Sequence, residues 1–308
     1  MRVSAVIAAH NAADYLREAI ESILAQTYRP FEIIVVDDGS IDHTREVCAS
    51  FGEQVRYFYQ PKDEKNYGGS ATIRCLLESS GEFIAYMNHD DRWLPTKIEK
   101  QVEALDANPE VGVVFTGTRA IDKDGQIFWD PMPHGPSGDV FHALLKRSFY
   151  FPSSALIRRS ALPRAGLPEP NAIGGDWDLW LRIARYYPVL VIEESLTEYR
   201  SFEGNFSKKK ELLFAGRLEL LQRQSTNLHP HCSECTTTLA ESFRTMSGEC
   251  LEYYHLRSRD SEFARALPFL RLAYRFSRRE VLRPKRLLPI LKDAVLSKVR
   301  ETGLLKRR

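Results

Sequence analysis

No apolar run in this chain approaches the roughly 18–20 residues that a membrane-spanning helix needs. The opening stretch, 1–10, superficially resembles a secretion signal. Its apolar part is too short, and it ends on the polar pair His10-Asn11, so it reads as folded protein. Cysteine is scarce. There are five in 308 residues, scattered rather than spaced as a disulfide framework. A reducing, cytoplasmic location is the expectation. Net charge is nearly absent as well: 43 Lys and Arg against 41 Asp and Glu leave +2, which argues against nucleic acid as a partner. Two glycine signatures are missing. No G-x-G-x-x-G follows the first apolar run, and no G-x-x-x-x-G-K-[ST] occurs anywhere. That excludes the usual dinucleotide oxidoreductase and P-loop phosphotransferase patterns. A bound nucleotide would have its phosphates held by a metal rather than by a glycine cradle.

What is present suits a globular chain, with 43% hydrophobic and 27% charged residues. Short β-forming runs at 3–7, 31–36, 55–59, 83–87 and 111–115 alternate with segments of helical period. Leu16, Ile20, Ile23 and Leu24 recur at helical spacing, with Asn11 placed to cap that helix. Asp42 or Ser40 is placed to cap a second helix through Val47. Further helices are expected over 71–78 and from the turn at Pro95 to about Ala107. This alternation predicts an α/β fold with a mainly parallel sheet covered on both faces. Ligands bind such sheets at the carboxyl ends of the strands. Three polar clusters fall there: 8–11, 37–40 and 88–91. The stretch 116–205 is less regular, apart from a helix starting at Asp176, whose Trp177, Trp180, Leu181 and Ala184 share one face. Beyond about 206 the pattern is helical, and the tail 283–308 mixes Leu, Ile and Val with Lys and Arg.

The cluster Asn88-His89-Asp90-Asp91 suits a hard divalent cation, Mg²⁺ or Mn²⁺, which prefers oxygen ligands. The alternative is a polar turn with Asp91 as a helix cap. Asp37-Asp38-Gly39-Ser40 reads either as turn chemistry or as a carboxylate facing a nucleobase N–H or ribose hydroxyl. His229, His231, Cys232 and Cys235 lie close enough in sequence for zinc. A tight cluster without a distant second ligand pair is a weak signal, and a loop leading into a helix is the simpler reading. The other thiols, Cys48, Cys75 and Cys250, read as core or half-buried.

Long segments also carry a resemblance. Val3-Ser4-Ala5-Val6-Ile7 with Asn11-Ala12-Ala13-Asp14-Tyr15-Leu16 and Ser22-Ile23-Leu24-Ala25-Gln26-Thr27-Tyr28 comes first. Phe31-Glu32-Ile33-Ile34-Val35-Val36-Asp37-Asp38-Gly39-Ser40, then Asp90-Asp91-Arg92-Trp93-Leu94-Pro95-Thr96-Lys97-Ile98-Glu99, and then Asp176-Trp177-Asp178-Leu179-Trp180-Leu181-Arg182 follow in order. Together they resemble the family 2 glycosyltransferases of GT-A fold. The likeness covers roughly 1–205, which implies a catalytic domain there and a helical region with a basic tail over 206–308.

By that resemblance, Asp38 contacts the base of a nucleoside diphosphate sugar, and Ala8, His10 and Asn11 line the nucleotide pocket. Arg74 lies near the donor phosphates. Asp90 is the metal ligand, with Asn88 and Asp91 beside it. Asp176 is the general base toward an acceptor hydroxyl. Apart from the resemblance, Trp93, Trp177 and Trp180 read as packing residues, with Trp177 also a candidate to stack on an acceptor sugar. Trp129 lies in a loop-rich region bordering the acceptor. The implied reaction is one inverting displacement, with a glycan or lipid-linked glycan as acceptor in surface polysaccharide or glycolipid assembly. The basic tail would then touch an anionic membrane surface peripherally. Departures from the family pattern are Asn88 in place of the first Asp of D-x-D, His10 in place of Tyr, Gly175 in place of Glu, and Phe202 in place of a His near the metal. They keep a non-catalytic sugar- or nucleotide-binding module as one alternative. A sugar-phosphate nucleotidyltransferase, the other, would need a Gly- and Arg-rich loop that 8–14 lacks.

Overall fold

The computed structural model describes residues 2–29, 31–63, 68–170, 172–228, 232–259, 270–271 and 273–290. The chain divides into two compact units, Met1–Lys208 and Lys209–Arg308. The first is built on one nine-stranded sheet. Its strands are β1 (Val3–Ala9), β2 (Phe31–Asp38), β3 (Val55–Gln60), β4 (Phe83–Asn88), β5 (Arg92–Trp93), β6 (Val113–Ile121), β7 (Ile127–Trp129), β8 (Leu156–Arg158) and β9 (Val189–Arg200). The order is β3-β2-β1-β4-β8-β6-β9-β5, with β7 hung on β6. Strands β3, β2, β1 and β4 run parallel. Strand β8 is antiparallel to both β4 and β6, while β9 returns parallel to β6.

Helices cover this sheet: α1 (Ala13–Leu24), α2 (Thr44–Ala49), α3 (Gly69–Glu78), α4 (Lys97–Ala107), α5 (Phe141–Lys146), α6 (Leu162–Ala165) and α7 (Gly175–Ala184). Side chains alternate across a strand, so each parallel pair places its partners on the same face. One face of β1, β2 and β4, carrying Ala5, Ile7, Ile33, Val35, Ala85 and Met87, closes over α1 and α4 as the main core.

Three local expectations need correction. Asn11 does not cap α1. The helix begins after Ala12, and Asn11, at φ 47°, uses its carbonyl oxygen to accept the Ile41 N–H at 2.9 Å. The N–H of Ala13 goes instead to Asp42, which also accepts from the Thr44 N–H and hydroxyl and so ties the starts of α1 and α2 together. Helix α4 starts at Lys97, two residues later than Pro95. In α7, Leu179 and Ile183 are buried as well as Trp177, Trp180, Leu181 and Ala184, so the helix is enclosed nearly all round rather than along one stripe. The region that looked irregular also holds the twelve-residue strand β9.

Glu32 on β2 shows how the sheet rim is held. Burial raises its carboxyl, but bonds from the Ser80 hydroxyl and N–H, the Ser4 hydroxyl and the Arg56 guanidinium outweigh this and bring it down to about 2. A depressed carboxyl stabilises the fold above its unfolded value of about 4.5 and loses that contribution as pH falls toward 2. Discounting for solvent screening, the loss should be about 1–2 kcal/mol. Urea midpoints at pH 7 and pH 3 should therefore converge more for Glu32→Gln than for the parent. Equal pH sensitivity of the two proteins would refute this.

The second unit is helical, with α8 (Lys210–Ser225), α9 (Ser233–Arg259) and α10 (Arg278–Val281). Its own core gathers Leu218, Leu221, Met246, Cys250, Tyr254 and Phe276. Cys232 and Cys235 are not joined in a disulfide, and the Cys235 N–H donates to the Cys232 sulfur at 3.3 Å at the start of α9. His229, His231 and the tail beyond 290 lie outside the described residues. Among the described residues no helix is long and apolar enough to cross a membrane.

Candidate active site

The sheet register assembles the site. Ala8 pairs with Val36 on one side and with Asn88 on the other, and Asp38 pairs with Gln60. Ala8, Val36, Asp38, Gln60, Tyr86 and Asn88 therefore share one face at the carboxyl edge of the strands. The adjacent Asp37 must point the opposite way. It does so, accepting the Tyr57 hydroxyl at 2.7 Å and the Ser40 N–H at 2.8 Å. Of the Asp37-Asp38 pair, the first is a structural turn residue and the second lies on the face shared with Ala8 and Asn88.

Asp38 is 1% exposed. One carboxylate oxygen accepts from the Gln60 amide at 2.7 Å, and the other is ion-paired with Lys62. The His10 ring lies against the same residue, with Nδ1 3.0 Å from the Asp38 carbonyl and Nε2 3.3 Å from the Asn11 amide. A carbonyl only accepts, so Nδ1 carries the proton and Nε2 accepts from Asn11. The exposed imidazole is thus held at both nitrogens beside the strand end. Ala8 is half-buried and borders it. Arg74, on α3, bonds the Tyr59 carbonyl at 2.8 Å, lies 5.3 Å from the Phe58 ring centroid and reaches Glu78 at 3.7 Å. It stands at the end of β3, engaged by protein groups.

At the end of β4, Asp91 is 1% exposed and is fully committed within the protein. Its oxygens accept the Arg200 N–H at 2.9 Å, the Asn88 amide at 3.1 Å and the Ser153 hydroxyl. Burial, and then the charge of Asp90, push its carboxyl up to about 8. Asp91 is therefore a buried anchor and not the cap of a following helix. Asp90 is half-buried, with one oxygen accepting from the Asn205 amide at 3.1 Å. Asn88 spends its amide N–H on Asp91, which leaves its carbonyl oxygen as the atom to offer outward. Phe202 packs on Tyr15, with ring centroids 5.2 Å apart.

Helix α7 brings in Asp176. The left-handed Gly174, at φ 78°, precedes Gly175, and Asp176 lies half-buried in the first turn. Asp178, fully buried, secures this start by accepting from Arg182 at 2.8 Å and from the Glu169 N–H at 3.4 Å. Burial, and also the charges of Asp176 and Asp91, raise the pKa of the Tyr86 hydroxyl, which contacts Thr72 of α3 at 3.1 Å. Tyr86 is thus within electrostatic reach of both aspartates. Trp177 is 4% exposed and donates its indole N–H to the Leu144 carbonyl at 2.8 Å. Its faces are packed, so it carries no stacking role. Trp129 is 49% exposed, on β7.

Several residues here carried no sequence motif. Arg200, 1% exposed, donates to the carbonyls of Asp90, Asp122 and Lys123 and to the Glu18 carboxylate. Ser153, Asn205, Gln60 and Lys62 likewise come from separate segments. The available signal was position at a strand end, which identifies a neighbourhood and not a partner.

Residues 4–165 match the family described as Glycosyl transferase family 2. An uncharacterised glycosyltransferase of Rickettsia typhi is 33% identical over 236 residues, covering 72% of this chain and 73% of that protein. One from Rickettsia conorii is 34% identical over 215 residues, covering 67% of this chain and 35% of that protein. The chain thus spans about a third of the length of the latter relative. Among solved structures, Staphylococcus aureus TarS 1–349 in complex with UDP-GlcNAc superposes with a TM-score of 0.63 at 16% identity, over 100% of this chain and 93% of that one. The Pyrobaculum calidifontis mannosyltransferase PcManGT, in complex with GDP-Man and Mn²⁺, gives 0.57 at 14% identity, over 91% and 87%. These likenesses establish the fold, which is the GT-A arrangement with a helical region after it.

Proposed function

Because the chain belongs to glycosyl transferase family 2, we propose that this crevice moves a sugar from a nucleoside diphosphate sugar to an acceptor hydroxyl, with inversion at the anomeric carbon. The observation that supports this most directly is the shared crevice edge. Val36 and Asn88 flank Ala8 through the sheet register, with Asp38 two residues beyond Val36 on the same face, while the charges of Asp176 and Asp91 both reach Tyr86. The catalytic domain would span 1–205 and the helical region 206–308.

Asp176 would take the proton from the acceptor hydroxyl as its oxygen bonds to the anomeric carbon. The bond from that carbon to the diphosphate breaks in the same displacement. A positioned carboxylate contributes typically 10²–10⁴-fold as a general base. Asp38 and His10 would hold the base of the donor, with Asn11 fixing the ring of His10, and Arg74 would stand on the donor side.

The donor set suits a hard cation. Asp90 offers a carboxylate and Asn88 a carbonyl oxygen, whereas both oxygens of Asp91 already accept bonds inside the protein. Mg²⁺ or Mn²⁺ there would neutralise charge on the departing diphosphate. With a single charged ligand, affinity for the cation alone should be low, and donor phosphates should complete the shell. The acceptor is proposed to be a glycan or lipid-linked glycan in surface polysaccharide or glycolipid assembly. The work would take place in the cytoplasm, with the basic tail at the membrane face.

A thermal-shift panel of UDP-, GDP- and dTDP-sugars, with and without Mn²⁺, tests this reading. At about 100 times the dissociation constant, the matching donor should stabilise the protein by about 2.7 kcal/mol. Asp90→Asn should remove the Mn²⁺-dependent part of that shift. No response to any sugar nucleotide would overturn the donor site.

A further inference from the structure

We propose that residues 270–271 and 273–290 of the second unit form a docking surface for anionic phospholipid, in which exposed arginines meet the lipid phosphates and an apolar cavity receives one acyl chain. This rests on the membrane-face reading of the tail given above and deepens it, and the donor site plays no part in it. The surface is built by the helical period. Ala273, Phe276, Val281 and Ile290 are buried and belong to the core with Met246, Cys250 and Tyr254. Ser277 interrupts the helix with an extended backbone, and its side chain accepts the Glu280 N–H at the start of α10. From α9, the Ser247 hydroxyl donates to the Ala273 carbonyl at 2.8 Å and holds the segment down. Positions between these inward residues are left facing water.

That outward side carries charge of one sign. Arg271, Arg275, Arg278, Arg279, Arg283 and Lys285 are exposed. The one acid in the stretch, Glu280, is 4% exposed and is paired with Arg283 at 2.8 Å. Apolar groups stand among the cations. Tyr274 and Leu282 are 44% exposed, and Leu288 is 65% exposed. A cavity of about 510 Å³ opens here, lined by Leu270, Val281, Leu287 and Ile290 together with Tyr274 and the arginines at 271 and 275. That volume lies within the roughly 300–1,000 Å³ of small-ligand sites.

Charge and cavity together define the partner. A surface of phosphates satisfies the arginines, whose planar fork matches phosphate oxygens. A nucleic acid would do that much, but it has no flexible apolar chain for the cavity, and Leu282 and Leu288 would stay in water. A lipid without net charge would fill the cavity and leave the cations without counterparts. A phospholipid of net negative charge supplies both. Tyr274 has the amphipathic ring that favours a lipid–water boundary. The arginine stems can cover apolar surface while their heads stay with the phosphates. Glu280, buried and paired, sets no carboxylate against the lipid.

Co-sedimentation of the full chain with phosphatidylcholine vesicles, with and without phosphatidylglycerol, tests this. Binding should require phosphatidylglycerol and weaken with salt. Arg275→Gln, Arg278→Gln and Arg279→Gln in one chain should lower partitioning at least about tenfold at an unchanged melting point. Leu287→Gln, which sets an amide in the cavity, should lower it at least about fivefold. Unchanged partitioning in the arginine variant would overturn the surface and leave the tail beyond 290 as the membrane contact. Leu287→Gln binding vesicles as the parent does would overturn the lipid role of the cavity, and a lower melting point in that variant would assign it to the chain's own residues 291–308. An oligonucleotide bound as tightly as the vesicles would overturn lipid as the partner. No binding to phosphatidylglycerol vesicles would remove both this proposal and the membrane-face reading, while the sugar-nucleotide thermal shifts decide the donor site separately.

Discussion

Replacing Asp176 by Asn is expected to lower the rate of sugar transfer by about 10²–10⁴-fold while leaving donor binding within about twofold of the parent. The asymmetry is the diagnostic part. Asp176 lies in the first turn of α7, whose start is held by Gly174 and by Asp178, which accepts from Arg182 and from the Glu169 N–H. Asn keeps the size and the helical position and removes the proton acceptor. A general base acts only as the nucleophile loses its proton, so its loss appears in kcat and not in donor affinity. A large fall in donor binding with kcat unchanged would place Asp176 in the binding site instead. Unchanged transfer would remove it from the reaction.

The second large effect concerns stability. Arg200→Met should destabilise the first unit by about 3–5 kcal/mol, because it breaks a buried charge network by deleting one partner. For a unit of this size that corresponds to a melting point roughly 10 °C lower. The guanidinium joins the Asp90 carbonyl at 2.9 Å, the Lys123 carbonyl at 3.1 Å, the Asp122 carbonyl at 3.3 Å and the Glu18 carboxylate at 2.7 Å, and lies 4.5 Å from the Tyr15 ring centroid. Methionine fills the volume but leaves three part-buried carbonyls without their donor. Lysine can serve only one or two of these acceptors and should recover part of the loss. Arg119→Met is the control. That residue is more exposed and bonds the Glu198 carboxylate, which Arg92 also holds, so its loss should cost about 1 kcal/mol. Equal melting of the two variants would refute the special role of Arg200.

The same contrast separates what could be read in the chain from what could not. Strands β1, β2 and β4 were legible because parallel strands buried on both faces read as short apolar runs ended by polar clusters, and β3 was legible from its aromatic β-formers. Strand β9 was missed. Val189–Arg200 carries two adjacent acidic residues, Glu193 and Glu194, that interrupt its apolar pattern, and its register with β6 shifts around Gly117. A bulge of this kind leaves no period to count.

The polar strand ends were visible as candidates, but their division of labour was not. Asp37 and Asp38 look alike in sequence, and the pleat sends one to Tyr57 and the other to Gln60 and Lys62 on the opposite face. Asp90 and Asp91 look alike too, until Ser153, Asn88 and the Arg200 N–H claim both oxygens of Asp91. Trp177 read as a packing residue first, with stacking on an acceptor sugar as the alternative, and it is buried with its indole N–H on the Leu144 carbonyl.

By itself, then, the amino-acid order determined the α/β alternation, the family, and which strand ends carry polar side chains, since these depend on local period and neighbouring residues. Only the tertiary structure decided which partners each aspartate of a pair bonds, that Arg200 reaches back from β9 to the end of β4, and that Lys62 pairs with Asp38. Those choices depend on sheet parity and on contacts between segments up to about a hundred residues apart, where no local pattern exists to record them.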